Sequence, residues 1–296
     1  MKNKVKRVAT MKVNGKMKTT LAACKKEKRS AKTMFKSIIL SRHPTHFPLR
    51  DKGVLPFLPF RSCVRFVSTT ELNTKYDYVE CNTANSIRTS SSKLFMKEAF
   101  KEANIPSPEW FTIDNIRENI ETVSFPLIAK KLYGSRGRGM AKILNSTELI
   151  EFLDSTIGVE SYYFEKFYAY GKEYRLHMTK NGCFYACRKM IKKETEQKHR
   201  WYKNRTNCVW LLETNLKFEK PDFWNLIVED CKKALKAIKL DVGAFDVIVK
   251  QNPSANGKNW KILESNSAPS FGDLTLQYYI KQIPEILNEK YRESQL

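Results

Sequence analysis

An α+β fold built on antiparallel hairpins is what this sequence predicts, and three observations carry that reading. Short β-rich runs come in neighbouring pairs joined by tight turns, the clearest being Asn181-Gly182 between Glu173–Thr179 and Cys183–Ile191. Helical periodicity is confined to a few segments, so the chain lacks the β-α-β alternation of a doubly wound sheet. With 296 residues, 42% of them hydrophobic and 12% aromatic, the chain can bury a real core as one large domain or two modest ones.

The elements follow in order. Residues 1–52 hold 12 Lys and 4 Arg against Glu27 and Asp51, which is +14 of the chain's net +22. Such a front segment suits phosphate contact, with nucleic acid or an acidic protein surface as partner; it suits a solvated arm equally. Pro44, Pro48, Pro56 and Pro59 predict an extended connection, so 1–60 reads as a basic arm with a Pro-rich link. Val64–Val67 and Tyr76–Val79 are short β-rich runs, which makes 61–90 a small α/β piece. Ser91 or Ser92 can cap a helix over Lys93–Ala103, ended by Ile105-Pro-Ser-Pro108. Strands follow at Phe125–Lys131 and Met140–Leu144, then a helix at Glu148–Asp154, then strands at Tyr162–Phe167 and Glu173–Thr179. Pro221 opens a long helix to about Lys239. Strands Val242–Val249 and Trp260–Glu264, joined by the turn-rich 252–257, and a helix near Leu274–Leu287 complete the chain.

Several classes are excluded. No apolar run reaches the roughly 18 residues of a spanning helix, and no secretory signal pattern follows the basic start, so no membrane partner is expected. Seven scattered cysteines without Cys-x-x-Cys point to reduced thiols in a cytoplasmic protein, and His43 and His46 lack a zinc-finger cysteine pair. Lys-rich usage, 38 Lys to 15 Arg, hints at an AT-rich genome such as a viral one, which would make the compartment the host cytoplasm.

Three groups of residues could carry chemistry. Gly134-Ser-Arg-Gly-Arg-Gly139 lies between two predicted strands, where backbone N–H groups can turn onto phosphate oxygens; an ordinary hairpin loop is the plain alternative. Neither a Walker loop nor a dinucleotide fingerprint fits it. Asp246 interrupts an apolar strand, with Glu264 and Asn266 near the end of the next. Pairing those strands would converge three oxygen ligands suited to Mg²⁺, the alternative being a buried acid met by a Lys or Arg. Phe164-Glu-Lys-Phe-Tyr168 followed by Glu173 could frame adenine and reach a ribose, or be a salt-bridged strand end.

The order of these pieces resembles the ATP-grasp superfamily of carboxylate–amine ligases over about residues 86–288. Lys93-Leu-Phe-Met-Lys, Pro126-Leu-Ile-Ala-Lys130, Gly134–Gly139, Phe164 to Arg175 and Ile262-Leu-Glu-Ser-Asn-Ser-Ala-Pro-Ser270 look like its successive motifs. The flavour is nearest the branch of the ribosomal-protein glutamate ligase. The resemblance implies two α/β subdomains whose antiparallel sheets sandwich nucleotide. They would be a small nucleotide-binding subdomain at 91–170 and a catalytic metal-binding one at 171–296. It also implies an ADP-forming ligase that makes an amide or peptide bond through an acyl phosphate. Lys93 and Lys130 would hold phosphates; Ser135, Arg136, Gly137, Arg138 and Gly139 would cover them. Glu165, Lys166, Phe167 and Tyr168 would frame adenine, and Glu173 the ribose. Asp246, Glu264 and Asn266 would hold magnesium, as two ions or with Mn²⁺ substituting. Arg188, Arg205 and Asn207 would serve catalysis. The implied substrates are an amino acid or other carboxylate and a peptide or protein acceptor. The alternatives are a basic nucleic-acid-binding protein on the same scaffold and a small-molecule dipeptide ligase. At 244–245 the sequence reads Ala-Phe, so an arginine that some of these ligases place just before the metal aspartate is missing.

Overall fold

The computed structural model describes residues 33–133, 137–204, 206–251 and 258–296. Most of the basic front segment, Ser135, Arg136, Arg205 and the 252–257 turn therefore lie outside the described residues. Strands β1 (Ile38–Leu40), β2 (Ser62–Arg65) and β3 (Val79–Cys81) form a parallel sheet in that order, with helix α1 (Phe47–Asp51) after β1. Described structure thus already occupies residues 38–51 of the stretch expected to be arm and connection. The prolines mislead there because Pro44 opens a single 3-10 turn and Pro48 sits in the first turn of α1, where a missing N–H costs nothing.

Helices α2 (Ala84–Ser91) and α3 (Lys93–Glu102) come next, and Ser92 caps α3 by accepting from the Phe95 N–H. A second sheet then forms from β4 (Trp110–Phe111), β5 (Leu127–Lys131), β6 (Ala141–Ile143) and β7 (Tyr162–Lys166), antiparallel in the order β4-β7-β5-β6. Helices α4 (Ile113–Glu118) and α5 (Ser146–Ser155) accompany it, α4 held by a Thr112–Asn115 capping box. Successive strand residues point to opposite faces. Leu127, Ala129, Tyr162 and Phe164 accordingly enter a core with Ile113, Ile116 and Leu149, while Ile128, Lys130, Tyr163 and Glu165 face the other way.

The largest sheet runs β10-β9-β8-β11-β12 and is antiparallel throughout, from β8 (Lys172–Thr179), β9 (Gly182–Ile191), β10 (Cys208–Leu212), β11 (Val242–Val249) and β12 (Trp260–Asn266). Helix α6 (Trp224–Ala237) packs Ile227, Cys231 and Ala234 against one face, joined by Met96 and Phe100 of α3. Tyr174, Leu176, Met178, Phe245, Val247 and Val249 fill that core from the sheet, each full burial contributing about 1.5–3 kcal/mol. Helix α7 (Asp273–Glu293) lays Tyr279, Ile283 and Leu287 on the N-terminal parallel sheet. Asn82 fastens that sheet to the start of β11. Its amide donates to Val242 O at 2.9 Å and accepts from the Asp241 and Val242 N–H groups at 2.9 and 3.1 Å.

Candidate active site

Alternation along β8 leaves Glu173, Arg175 and His177 on the face away from α6, and the register across the sheet builds a ladder of charge from them. Lys189 stands opposite Glu173, Asp246 opposite Arg175, and Glu264 opposite Asp246. Arg175 grips Asp246 with two hydrogen bonds, Nε to Oδ1 at 2.7 Å and Nη2 to Oδ2 at 2.9 Å. Lys189 Nζ bridges Glu173 Oε1 at 2.6 Å and Asp246 Oδ2 at 2.7 Å. Burial alone would raise the Asp246 carboxyl, but Arg175 and Lys189 outweigh it and hold the group well below the usual carboxylate range. The other Glu173 oxygen accepts from Tyr170 OH at 2.9 Å.

Glu264 is different. Among the described residues it has no ion-pair partner within 4 Å, and burial and then the Asp246 charge push its carboxyl above the usual range. Two positions on, the Asn266 side-chain nitrogen is buried without a hydrogen-bond partner. An acid facing another acid fits a divalent cation with oxygen ligands, which would offset the Asp246–Glu264 repulsion, whereas the unpaired Asn266 N–H₂ is a donor and calls for an acceptor such as a phosphate oxygen.

Facing this ladder is the polar side of the small sheet. Glu165, almost fully buried, lies between Lys97 Nζ at 2.9 Å and Lys130 Nζ at 2.6 Å, with Tyr163 OH donating at 2.9 Å. Burial would raise the Glu165 carboxyl, but Lys130 and Lys97 bring it down to about 2. Lys93, one helical turn before Lys97, donates to the Lys131 carbonyl; burial lowers its ammonium, while the nearby Glu264 charge works the other way. The two clusters are therefore within electrostatic reach of each other.

Two loops border the gap. Gly137 and Gly139 take φ of +70° and +73°, and a Cβ on Gly139 would come within 2.9 Å of the Lys131 side chain, so this turn requires glycine. The ring of Tyr202, from the β9–β10 loop, lies 3.5 Å from where a Gly137 Cβ would be. That loop also sends Lys203 over the Tyr170 ring at 3.9 Å. A cavity of about 590 Å³ opens beside it, lined by Phe167, Tyr168, Tyr170, Trp201, Lys203 and Lys250.

This arrangement of sheets is similar to D-alanine–D-alanine ligase from Bacillus anthracis, with 17% identity over 79% of this chain and 80% of that chain and a TM-score of 0.55. It is also similar to N5-carboxyaminoimidazole synthetase from Staphylococcus aureus complexed with ADP, with 17% identity over 76% of this chain and 60% of that one and a TM-score of 0.56. This chain has the ATP-grasp fold. Biotin carboxylase from Campylobacter jejuni is a further ATP-grasp match, at 15% identity over 76% of this chain and 54% of that chain, with a TM-score of 0.54. No protein-family model and no curated protein sequence matches the chain.

Within the ATP-grasp frame, Lys93, Lys130, Asp246, Glu264 and Asn266 come together around one gap, with Gly137–Gly139 at its rim. Other expected residues do not join them. Arg188 pairs with Tyr174 on the α6 side of the sheet, where its nearest acid is Glu219 at 3.9 Å, so it cannot face the charge ladder. Asn207 is used up locally: its amide donates to the His199 and Tyr202 carbonyls and accepts from the Asn204 N–H, which pins its own loop. Glu173, expected at a ribose, is already engaged by Lys189 and Tyr170, and the Glu165 carboxylate is spent on two lysines rather than turned to adenine. Lys166 points outward to Ser124, and Arg138 is exposed. Phe167 and Tyr168 do line the cavity.

Lys97 and Tyr163 carry no expectation from the sequence, whereas Arg175 and Lys189 are what the plain alternative for Asp246, a buried acid met by a Lys or Arg, calls for. A signal existed for Arg175 and Lys189: an acid such as Asp246 within an apolar central strand needs cations on its flanking strands.

Proposed function

We propose that this protein is an ATP- and magnesium-dependent ligase that joins a carboxylate to an amine through an acyl phosphate. One juxtaposition carries the reading: the lysines around Glu165 lie opposite the unneutralised Glu264–Asn266 pair, beneath a glycine turn. A triphosphate with a bound divalent ion needs both signs side by side. Lys93 and Lys130 would hold phosphate oxygens, and the backbone of 137–139, with Ser135 and Arg136, would cover them. Phe167 and Tyr168 would border the adenine. Glu264 and the Asn266 side-chain oxygen would hold magnesium, singly or as two ions, or manganese in its place, with Asp246, bound by Arg175 and Lys189, adding negative charge behind them; the metal would neutralise charge on the transferred phosphoryl group. Arg175 and Lys189 keep Asp246 ionised and fixed. A substrate carboxylate oxygen attacks the γ-phosphorus and ADP leaves. The amine nitrogen then adds to the acyl carbon, loses a proton and expels inorganic phosphate. Alignment and charge neutralisation supply most of the rate, so no nucleophilic Ser or Cys is needed.

An amino acid and a peptide or protein acceptor are the substrates we infer, in the manner of the ribosomal-protein glutamate ligase branch. The net charge of +22 suits an acceptor that is acidic or held in a nucleoprotein. Six free cysteines among the described residues suit a reducing cytoplasm, and no described helix is long and apolar enough to cross a membrane. The test is ADP release with each amino acid in turn, with and without an acidic peptide. Turnover that needs the peptide and vanishes in Glu264→Ala supports the reading. Turnover with free amino acids alone moves it to a dipeptide ligase. No ADP, together with salt-sensitive oligonucleotide binding, moves it to a non-catalytic nucleic-acid-binding protein.

A further inference from the structure

Among the described residues, strand β10 is the outer edge of the largest sheet and pairs on one side only. Its bonds to β9 use odd-numbered residues: the Lys192 N–H donates to Asn207 O at 2.9 Å and the Glu213 N–H to Ala186 O at 3.2 Å. The register in between, Cys208↔Ile191 through Leu212↔Cys187, assigns Val209 and Leu211 to the same bonded set. In an antiparallel ladder the alternate residues aim their N–H and C=O away from the partner. Cys208, Trp210 and Leu212 therefore turn theirs toward the open edge, where among the described residues only the Leu212 carbonyl is taken, by the Asn215 N–H at 2.9 Å.

The side chains here are apolar and uncovered: Val209 is 50% exposed, Trp210 43%, Leu212 40% and the neighbouring Met190 38%. Sheets ordinarily blunt such an edge with charge or proline on the strand itself. This strand carries neither, and the charge lies around it with one sign. Residues 188–220 hold ten Lys and Arg against four acids, and Lys192, Lys193, Arg200 and Lys217 make no ion pair among the described residues. Trp210 lies on the cleft side, 5.0 Å from the Arg175 guanidinium and 5.6 Å from Lys189 Nζ. A chain added at this edge runs beside the candidate active site.

We propose that β10 is a docking strand for an extended acidic segment of the acceptor polypeptide, which pairs with the Trp210 and Leu212 backbone while its carboxylates meet the flanking lysines. The role of that polypeptide as acceptor rests on the ligase reading; the docking itself does not. Strands lie ~4.8 Å apart, so the docked segment is a recognition element and the reacting group belongs to residues beyond it.

The probe is a fluorescein-labelled peptide of about twelve alternating Glu and Val residues, enough to span the strand, with a Lys–Val peptide as control. The Glu–Val peptide is expected to bind, to weaken as salt rises, and to slow hydrogen exchange at the Trp210 and Leu212 amides. Leu212→Pro deletes an outward N–H and no bond to β9, and is expected to weaken binding about tenfold. Lys192→Glu with Lys193→Glu should weaken it too, and keeps the test open if the proline variant does not fold. Equal binding of the Lys–Val peptide, no saturable binding, protection away from β10, or displacement from β10 by a single-stranded oligonucleotide would each overturn the proposal. Melting with Mg-ADP is read separately. A normal nucleotide shift without peptide binding sinks the docking strand alone, and peptide binding without a nucleotide shift sinks the ligase reading alone.

Discussion

The two charged clusters that face each other are built on opposite plans. On the small sheet, one buried acid, Glu165, is shared by Lys97 and Lys130, with Lys93 close by, so cations are in excess. On the large sheet, Asp246 is saturated by Arg175 and Lys189 while the Glu264 carboxylate has no ion-pair partner among the described residues, so negative charge is in excess. The first cluster neutralises its one acid without a ligand, although the buried Lys97 Nζ has the ion pair and no hydrogen bond of good geometry. The second leaves a deficit that a cation would fill.

The largest expected effect breaks the complete cluster. Glu165→Ala strands the buried Lys97 ammonium, and the partly buried Lys130 loses its partner as well, which should cost about 3–5 kcal/mol in urea unfolding. Lys189→Met is next, at about 2–3 kcal/mol, because Arg175 and Tyr170 still serve the two acids it bridges. A pH titration adds two buried imidazoles to the contrast. His177 and His46 are buried and neutral, held down to about 3 and about 4 from 6.5, His177 by burial and then Arg175, His46 chiefly by burial. The unfolded chain takes up protons first as pH falls. Their contribution is therefore full above pH 6.5 and lost as pH drops toward 4 and 3, which melting temperatures between pH 7 and 4 will show. The smallest stability change belongs to the incomplete cluster. Glu264→Gln loses no ion pair and relieves repulsion with Asp246, so it should shift stability by less than about 1 kcal/mol while removing the magnesium dependence of nucleotide binding. Arg188→Met should leave nucleotide binding unchanged, since the side chain lies on the far face.

How far the sequence reached depends on the range over which each residue's position is decided. Local signals were readable: the Ser92 and Asn145 caps and the apolar run at Val242–Val249 give elements where expected. Asp246 stands out because a carboxylate within an apolar strand has few plain explanations, and Glu264 because it ends the next strand, whereas Lys130 is legible only through the family resemblance. Arg188 shows where such reading stops. Counting back from the hairpin turn, Thr179↔Gly182, an unbroken ladder would set Arg188 opposite Glu173. A bulge at Phe184 adds one residue to β9, so Lys189 takes that place and Arg188 moves to the other face. The bulge is set by tertiary packing, with the Phe184 ring 5.1 Å from that of Tyr279 on α7, and no local motif announces it. Strand β10 escaped notice because Val-Trp-Leu-Leu does not alternate and follows a basic loop. Strand β1 escaped because three residues beside prolines carry too little pattern.

The central claim is that the two clusters together hold a magnesium nucleotide, and thermal unfolding with Mg-ADP tests it most directly. Nucleotide at about 100 times its Kd adds about 2.7 kcal/mol to the folded state, a rise of a few degrees for a chain of this size. The account predicts that rise for the parent protein, its loss in Lys130→Ala, and loss of its magnesium-dependent part alone in Glu264→Gln. A melting temperature that Mg-ADP leaves unmoved, or an equal rise in all three proteins, would contradict it.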